Sequence, residues 1–285
     1  MLKYRAISFP LLLLLAAAVV FWKEGGPWIF AVLAVPVTVM ALLETAAIGE
    51  KLALPSFRIV AVLCGLALLL LAGMPEMLPK KSFDLLGTFS RKPYGECALW
   101  AFMPVLAALL LFARDRVKAA RKLLGTAGVT AFALAPVLAL CRIYFAGGAL
   151  LFLALVLTTK AADTGGYIVG MLSGKFLPGG NHKIVPSVSP KKSWEGTLGG
   201  LLFSLIAAVL FRYFDVLAWN WGGVLLFGAL AFLGSFAGDL TESQLKRAAG
   251  IKDSGSWIPG MGGVLDVLDS FIYNAPLFYA ATLIL

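Results

Sequence analysis

Histidine is almost missing from this chain, cysteine is scarce and charge is thin. His182 is the only histidine, which argues against a His-built metal centre and against a Ser-His-Asp triad. Cys64, Cys97 and Cys141 stand apart in apolar surroundings with no CxxC spacing, so neither a zinc site nor a disulfide framework is indicated. Only 14% of the 285 residues are charged, against roughly 25% in a soluble domain, and that deficit excludes an ordinary soluble reading. The ten-residue alternating segments of an outer-membrane barrel are missing. So are the Walker A, GxSxG and HExxH motifs: Ser173-Gly174-Lys175 lacks both the leading glycine spacing and a following Ser/Thr.

What fills the chain instead is apolar sequence, 60% of it, gathered into long runs between short basic or Gly/Pro-rich breaks. A run of about 18 residues can cross roughly 30 Å of hydrocarbon as a helix, and in lipid the backbone must satisfy its own hydrogen bonds. The fold class expected is therefore all-α, a polytopic integral membrane protein of about nine transmembrane helices. The spans lie near 7–22, 28–48, 57–74, 94–113, 123–144, 148–171, 196–214, 221–241 and 262–285. Lys3 and Arg5 before Leu11–Leu15 mimic a signal peptide, but the apolar run continues through Val19–Trp22 and favours a retained helix.

With the N-terminus in the cytoplasm, 16 Lys/Arg fall on cytoplasmic segments and 7 on outer ones, with Lys160 inside a span. The loop around 75–93, with four basic residues on the outer side, runs against that bias. The net charge of +9 suits anionic headgroups, and no basic face with interleaved aromatics suggests nucleic acid. Short loops fit a bacterial inner membrane. The two halves differ: residues 1–145 read as scaffold helices with almost no ionisable groups in their interiors, and residues 146–285 as the catalytic membrane region.

Charges in apolar segments are costly, by about 2.5–3.5 kcal/mol on insertion scales, and usually face a cavity or a partner. Lys160, Asp163 and Tyr167 share one helical face, with Gly165-Gly166 just before Tyr167 allowing close approach. Ser187–Thr197 breaks the chain, supplies Ser189, Lys191 and Lys192, and opens a helix that Ser193 or its neighbour can cap; such an N-terminus with lysines suits an anion. Asp239, Glu242 and Ser243 align at i, i+3 and i+4, and Lys246 and Arg247 continue the face. Lys252-Asp253 and Pro259–Gly263 precede Asp266 and Asp269, two aspartates on one face whose repulsion a cation such as Mg2+ would relieve. Carboxylates, Mg2+ and Lys/Arg together suit phosphoryl or nucleotidyl transfer. Intramembrane Asp and Lys are also marks of an ion-coupled transporter, although no inverted repeat is visible.

Ser243, Lys246-Arg247, Lys252-Asp253, Ile258, Pro259-Gly260, Gly262-Gly263, Asp266 and Asp269 stand in the spacing of a known signature. On these residues the chain resembles the phosphatidate cytidylyltransferase (CDP-diacylglycerol synthase) family. Ser189–Gly196 and Asp163–Tyr167 also look like family blocks, so the resemblance covers about 158–275 in detail. Met261 and Val267 depart from it, where the family usually has histidine and arginine. The resemblance implies that CTP and phosphatidate give CDP-diacylglycerol and pyrophosphate with Mg2+. It implies Asp239 and Asp266 as the leading metal ligands, with Asp269 and Asp163 as ligands or orienters. Ser189, Lys191, Lys192, Lys246, Arg247 and Lys252 would hold triphosphate and lipid phosphate. A homodimer is implied as well. A weakened family member, or a transferase with another lipid phosphate as acceptor, remains open beside this reading.

Overall fold

The computed structural model describes residues 14–73, 115–186, 188–258, 260 and 262–284. The expected span at 94–113, the first part of the one at 7–22 and the basic loop at 75–93 lie outside the described residues, as do Cys97, Ser187, Pro259 and Met261. A helical stretch at 14–21 leads into α1 (Gly26–Lys51) and α2 (Arg58–Leu68), which continues as a π-helical turn over Leu69–Gly73. Then come α3 (Arg116–Gly147), α4 (Ala149–Phe176), α5 (Trp194–Tyr213), α6 (Trp221–Ala248), α7 (Val264–Leu268) and α8 (Phe271–Ile284). Among the described residues only two isolated bridges depart from helix and loop, Lys183 with Ser193 and Ile258 with Gly262. The all-α membrane class stands.

Among the described residues, five helices, α1 and α3 to α6, are long and apolar enough to cross a membrane, and α2 and α8 are shorter apolar helices. The described residues do not confirm the count of nine. Its last member, 262–285, is broken rather than continuous. Asp269 Oδ1 accepts the Ser270 N–H at 2.5 Å and the Ser270 hydroxyl at 2.8 Å, so a side chain takes a donor the helix would need.

The chain forms two compact units, Met1–Ala146 with Ala248–Val267, and Gly147–Arg247 with Leu268–Leu285. In the first, polar residues inside α1 are satisfied locally: Thr38 and Thr45 donate to carbonyls four residues back, each at 2.7 Å. Thr126 of α3 accepts the Phe57 N–H at 2.9 Å at the head of α2. Tyr144 stacks on Phe30 at 4.2 Å and donates to the Val19 carbonyl at 2.7 Å.

In the second unit α4 and α5 pack along a glycine seam. A side chain at Gly165 would strike Phe203 and the Gly199 carbonyl, and one at Gly199 would strike Val169. Ser193 caps α5 as expected, accepting the Gly196 N–H at 3.2 Å. Asn274 ties α8 to α6 and α4, donating to the Ala231 carbonyl at 2.8 Å and to the Thr159 hydroxyl at 3.2 Å.

Candidate functional site

Within the second unit, α4, α6 and the α7–α8 turn bring together a polar cluster. Lys160 and Asp163 lie near the middle of α4, one turn apart, and pair at 3.1 Å. Ser270 joins them: its hydroxyl lies 2.9 Å from Asp163 Oδ2 and 3.3 Å from the Lys160 ammonium, which donates to it. The other oxygen of Asp163 accepts the Ser235 hydroxyl of α6. Asp269, beside Ser270, sits where the α6 backbone comes close, since a side chain at Gly238 would collide with its carbonyl. The hydrogen bonds described for Asp269 fall on Oδ1. One helical turn beyond Ser235, Asp239 accepts from Ser243 at 3.2 Å and pairs with Lys192 at 2.9 Å. The Lys192 side chain is 16% exposed; it also donates to the Phe236 carbonyl at 3.2 Å and stands 4.3 Å from the Phe236 ring centroid. Asp163, Asp269 and Lys160 thus meet at the Ser270 hydroxyl, and Asp239 with Lys192 lies in the same unit, one turn along α6 from the Ser235 that bonds Asp163.

A second cluster belongs to the first unit. Glu44, four-fifths of the way through the apolar run of α1, is 4% exposed. Its carboxylate accepts the Val264 N–H at 3.0 Å, the Leu265 N–H at 2.8 Å and the Ser254 hydroxyl at 2.8 Å. Asp266 Oδ2 meets the same hydroxyl at 2.9 Å and accepts the N–H groups of Ser254 at 2.9 Å and Gly263 at 2.7 Å. Asp266 thereby caps the helix it stands in, reaching back to the residue that precedes it. The turn before it needs glycine: Gly260 and Gly262 have φ of 81° and 97°, and a side chain at Gly262 would meet the Asp266 carboxylate.

The remaining expected site residues are placed differently. Lys191, Arg247 and Lys252 are exposed, and Ser189 is half-buried in the loop before α5. Lys246 pairs at 2.5 Å with Glu242, whose side chain is fully buried, so this lysine is engaged along its own helix. Tyr167 is 68% exposed and takes no part in the Lys160–Asp163 network described here. The sequence pattern does not single out Ser235, Ser270, Ser254 or Glu44. Ser235 carries a signal in hindsight, four residues before Asp239 on one helix face, whereas Glu44 meets partners more than two hundred residues away. Among the described residues no group of three or more His, Cys, Asp or Glu stands close enough to hold a metal ion.

Comparison with known proteins adds to this geometry. The model of the cytidylyltransferase family matches residues 3–285. A phosphatidate cytidylyltransferase of Mycobacterium bovis is 45% identical over 121 residues, 42% of this chain and 37% of that protein. One of Haemophilus influenzae is 42% identical over 135 residues, 46% of this chain and 45% of that protein. One of Synechocystis is 46% identical over 120 residues, 42% of this chain and 38% of that protein. The matched stretch therefore spans less than half the length of these relatives.

Proposed function

The chain belongs to the cytidylyltransferase family, and from that membership we propose that it transfers the cytidylyl group of CTP to phosphatidate, giving CDP-diacylglycerol and pyrophosphate. The observation that carries this reading is the cluster of the second unit, where Asp163, Asp239 and Asp269 are held by Lys160, Lys192 and three serines among apolar helices. Both reactants are anions, so the site has to offset their repulsion before it can bring them together.

In the proposed step an oxygen of the phosphatidate phosphate attacks the α-phosphorus of CTP. A P–O bond forms there, the bond to the β-phosphate bridge breaks, and pyrophosphate leaves with that electron pair. Lys192 would turn from Asp239 to a triphosphate oxygen, a short swing for a side chain already anchored by its stem. Lys191, Ser189 and the capped N-terminus of α5 would add donors around the same anion. Lys246, Arg247 and Lys252 are proposed partners of the lipid phosphate; Lys246 would have to share itself with Glu242. Asp163 would fix the positions of Lys160 and Ser270.

The donor set fits Mg2+. The acids are hard-oxygen carboxylates, and Mg2+ commonly binds through one or two carboxylates with water and substrate phosphate completing the shell. Asp239 and Asp269 are proposed to hold it; Asp266 belongs to the other compact unit, and its proposed ligand role rests on its place in the sequence signature alone. Bound there, Mg2+ would neutralise charge on the triphosphate. The chain is a multi-pass integral membrane protein; the bacterial inner membrane and a cytoplasmic N-terminus are proposed from the Lys/Arg bias, and a homodimer from the resemblance alone.

The test is conversion of α-labelled CTP by the purified full chain in detergent micelles containing phosphatidate. The expected result is lipid-soluble label with one pyrophosphate released per transfer, lost on chelation of Mg2+. No transfer to any lipid phosphate would overturn the proposal, and transfer only to a different lipid phosphate would overturn the acceptor.

A further inference from the structure

Glu44 is a buried carboxylate in the half of the chain that reads as scaffold, and the proposed chemistry makes no use of it. Its three partners all lie on the segment that carries Asp266. Two are backbone N–H groups at the head of α7, on Val264 and Leu265, which are 5% and 0% exposed. The third is the Ser254 hydroxyl, which touches Glu44 Oε2 at 2.8 Å and Asp266 Oδ2 at 2.9 Å. One hydroxyl thus spans the two carboxylates. Glycines flank the contact on both sides: a side chain at Gly255 or at Gly263 would run into the Glu44 carboxylate. A five-residue helix following a glycine turn has little to fix its direction by itself. Here an acid from a neighbouring transmembrane helix grips its first two N–H groups, where negative charge is favoured.

We propose that Glu44 is a positioning residue for Asp266, holding the α7 head and Ser254 so that the Asp266 carboxylate keeps one orientation. The inference rests on the ligand role of Asp266 in the proposed function. Glu44 touches no reacting atom in this scheme; it acts through Ser254 and the backbone. Glu44→Gln preserves shape but replaces one acceptor oxygen by an amide that can only donate, so either the Val264 N–H, or the Leu265 N–H together with the Ser254 hydroxyl, loses its acceptor. Ser254→Ala removes the shared hydroxyl and leaves Glu44 its two backbone contacts.

The experiment compares the wild-type chain, Glu44→Gln, Ser254→Ala and the double variant, all full length in detergent. It reads Mn2+ binding by electron paramagnetic resonance, with Mn2+ alone as probe, and kcat and KM for CTP and phosphatidate. The expected result is a several-fold weaker Mn2+ affinity and a roughly tenfold lower kcat in each single variant, with KM for phosphatidate unchanged. The double variant should be no worse than the poorer single one, because both changes act along one path. Unchanged Mn2+ affinity in folded Glu44→Gln would overturn the proposal, as would independent, multiplying losses in the double variant. If Glu44→Gln fails to fold, Ser254→Ala alone decides by the same affinity. A wild-type chain that binds Mn2+ but transfers nothing from CTP would sink the functional reading while the affinities still judge Glu44; a wild-type chain that binds no Mn2+ counts against Glu44 directly.

Discussion

The two carboxylate clusters are held by different kinds of donor. Glu44 and Asp266 take backbone N–H groups of Ser254, Gly263, Val264 and Leu265 around one hydroxyl. Asp163 and Asp239 take side chains: two lysines and three serines. A backbone donor cannot leave without unfolding its turn, whereas a lysine can trade a carboxylate for a phosphate by rotating about its stem. The first cluster has the construction of a frame and the second that of a site that exchanges partners with an anion. The difference also locates cost. Losing an acceptor in the frame strands buried N–H groups, each at about 1–3 kcal/mol. Losing one in the exchanging cluster should register mainly in turnover.

That contrast breaks first, if it breaks, at Asp239. Asp239→Asn should lower CTP incorporation into lipid by about 10²–10³-fold, the scale for removing one charge-stabilising group from an active site. Its melting temperature should barely move, because the amide oxygen can still accept from Lys192 while the amide N–H donates to the Ser243 hydroxyl. Wild-type turnover in this variant would refute the assignment of Asp239 as a proposed ligand.

Lys192→Met comes next. The methionine keeps the apolar stem against Phe236 and removes the ammonium. A charge-assisted hydrogen bond is worth about 1.5–3 kcal/mol, so KM for CTP should rise by roughly tenfold or more, read from steady-state kinetics. A variant that instead melts early with unchanged KM would mean that the Lys192–Asp239 pair is structural and that the second cluster is a frame too.

Much of the second cluster was legible before any coordinates. Asp163, Asp239 and Asp269 stand out because each is an ionisable group in or at the end of apolar sequence, where it needs a reason, and Lys192 because it precedes a helix N-terminus that suits an anion. The helices α1 and α3 to α6 were legible for the same solvent argument. The frame was not. Glu44 lies near the end of an apolar run, where a lone acid reads as a headgroup-facing charge, and its partners are remote in sequence. The break at Asp269–Ser270 was hidden because hydropathy averages over a turn of two residues. Lys246 was legible in part: Glu242 at i−4 signals a charge that pairs along its own helix.

Gly262→Ala tests the frame with a smaller change. Its φ of 97° strains any L side chain, and the added methyl would press on the Asp266 carboxylate. Together these should cost about 1–3 kcal/mol, seen as a lower melting temperature in detergent. An unchanged melting temperature would show that the turn before α7 tolerates rearrangement, and the description of a rigid frame would fail.

The smallest effect belongs to an ion pair that belongs to neither cluster. Arg58 meets Glu50 through two hydrogen bonds, at 2.8 and 2.5 Å, a fork geometry closer than the 2.9 Å contact between Lys192 and Asp239. Distance alone would rank Arg58–Glu50 first. Exposure reverses the order: both its side chains are open, at 45% and 42%, while Lys192 is 16% exposed. Water and salt screen an open pair, and such pairs contribute about 0–1 kcal/mol. Arg58→Ala should therefore leave transfer unchanged and the melting temperature within the error of measurement. A loss of turnover comparable to that of Lys192→Met would show that position in the fold, rather than desolvation, decides which cations matter here, and the distinction between frame and exchanging cluster would need a different physical basis.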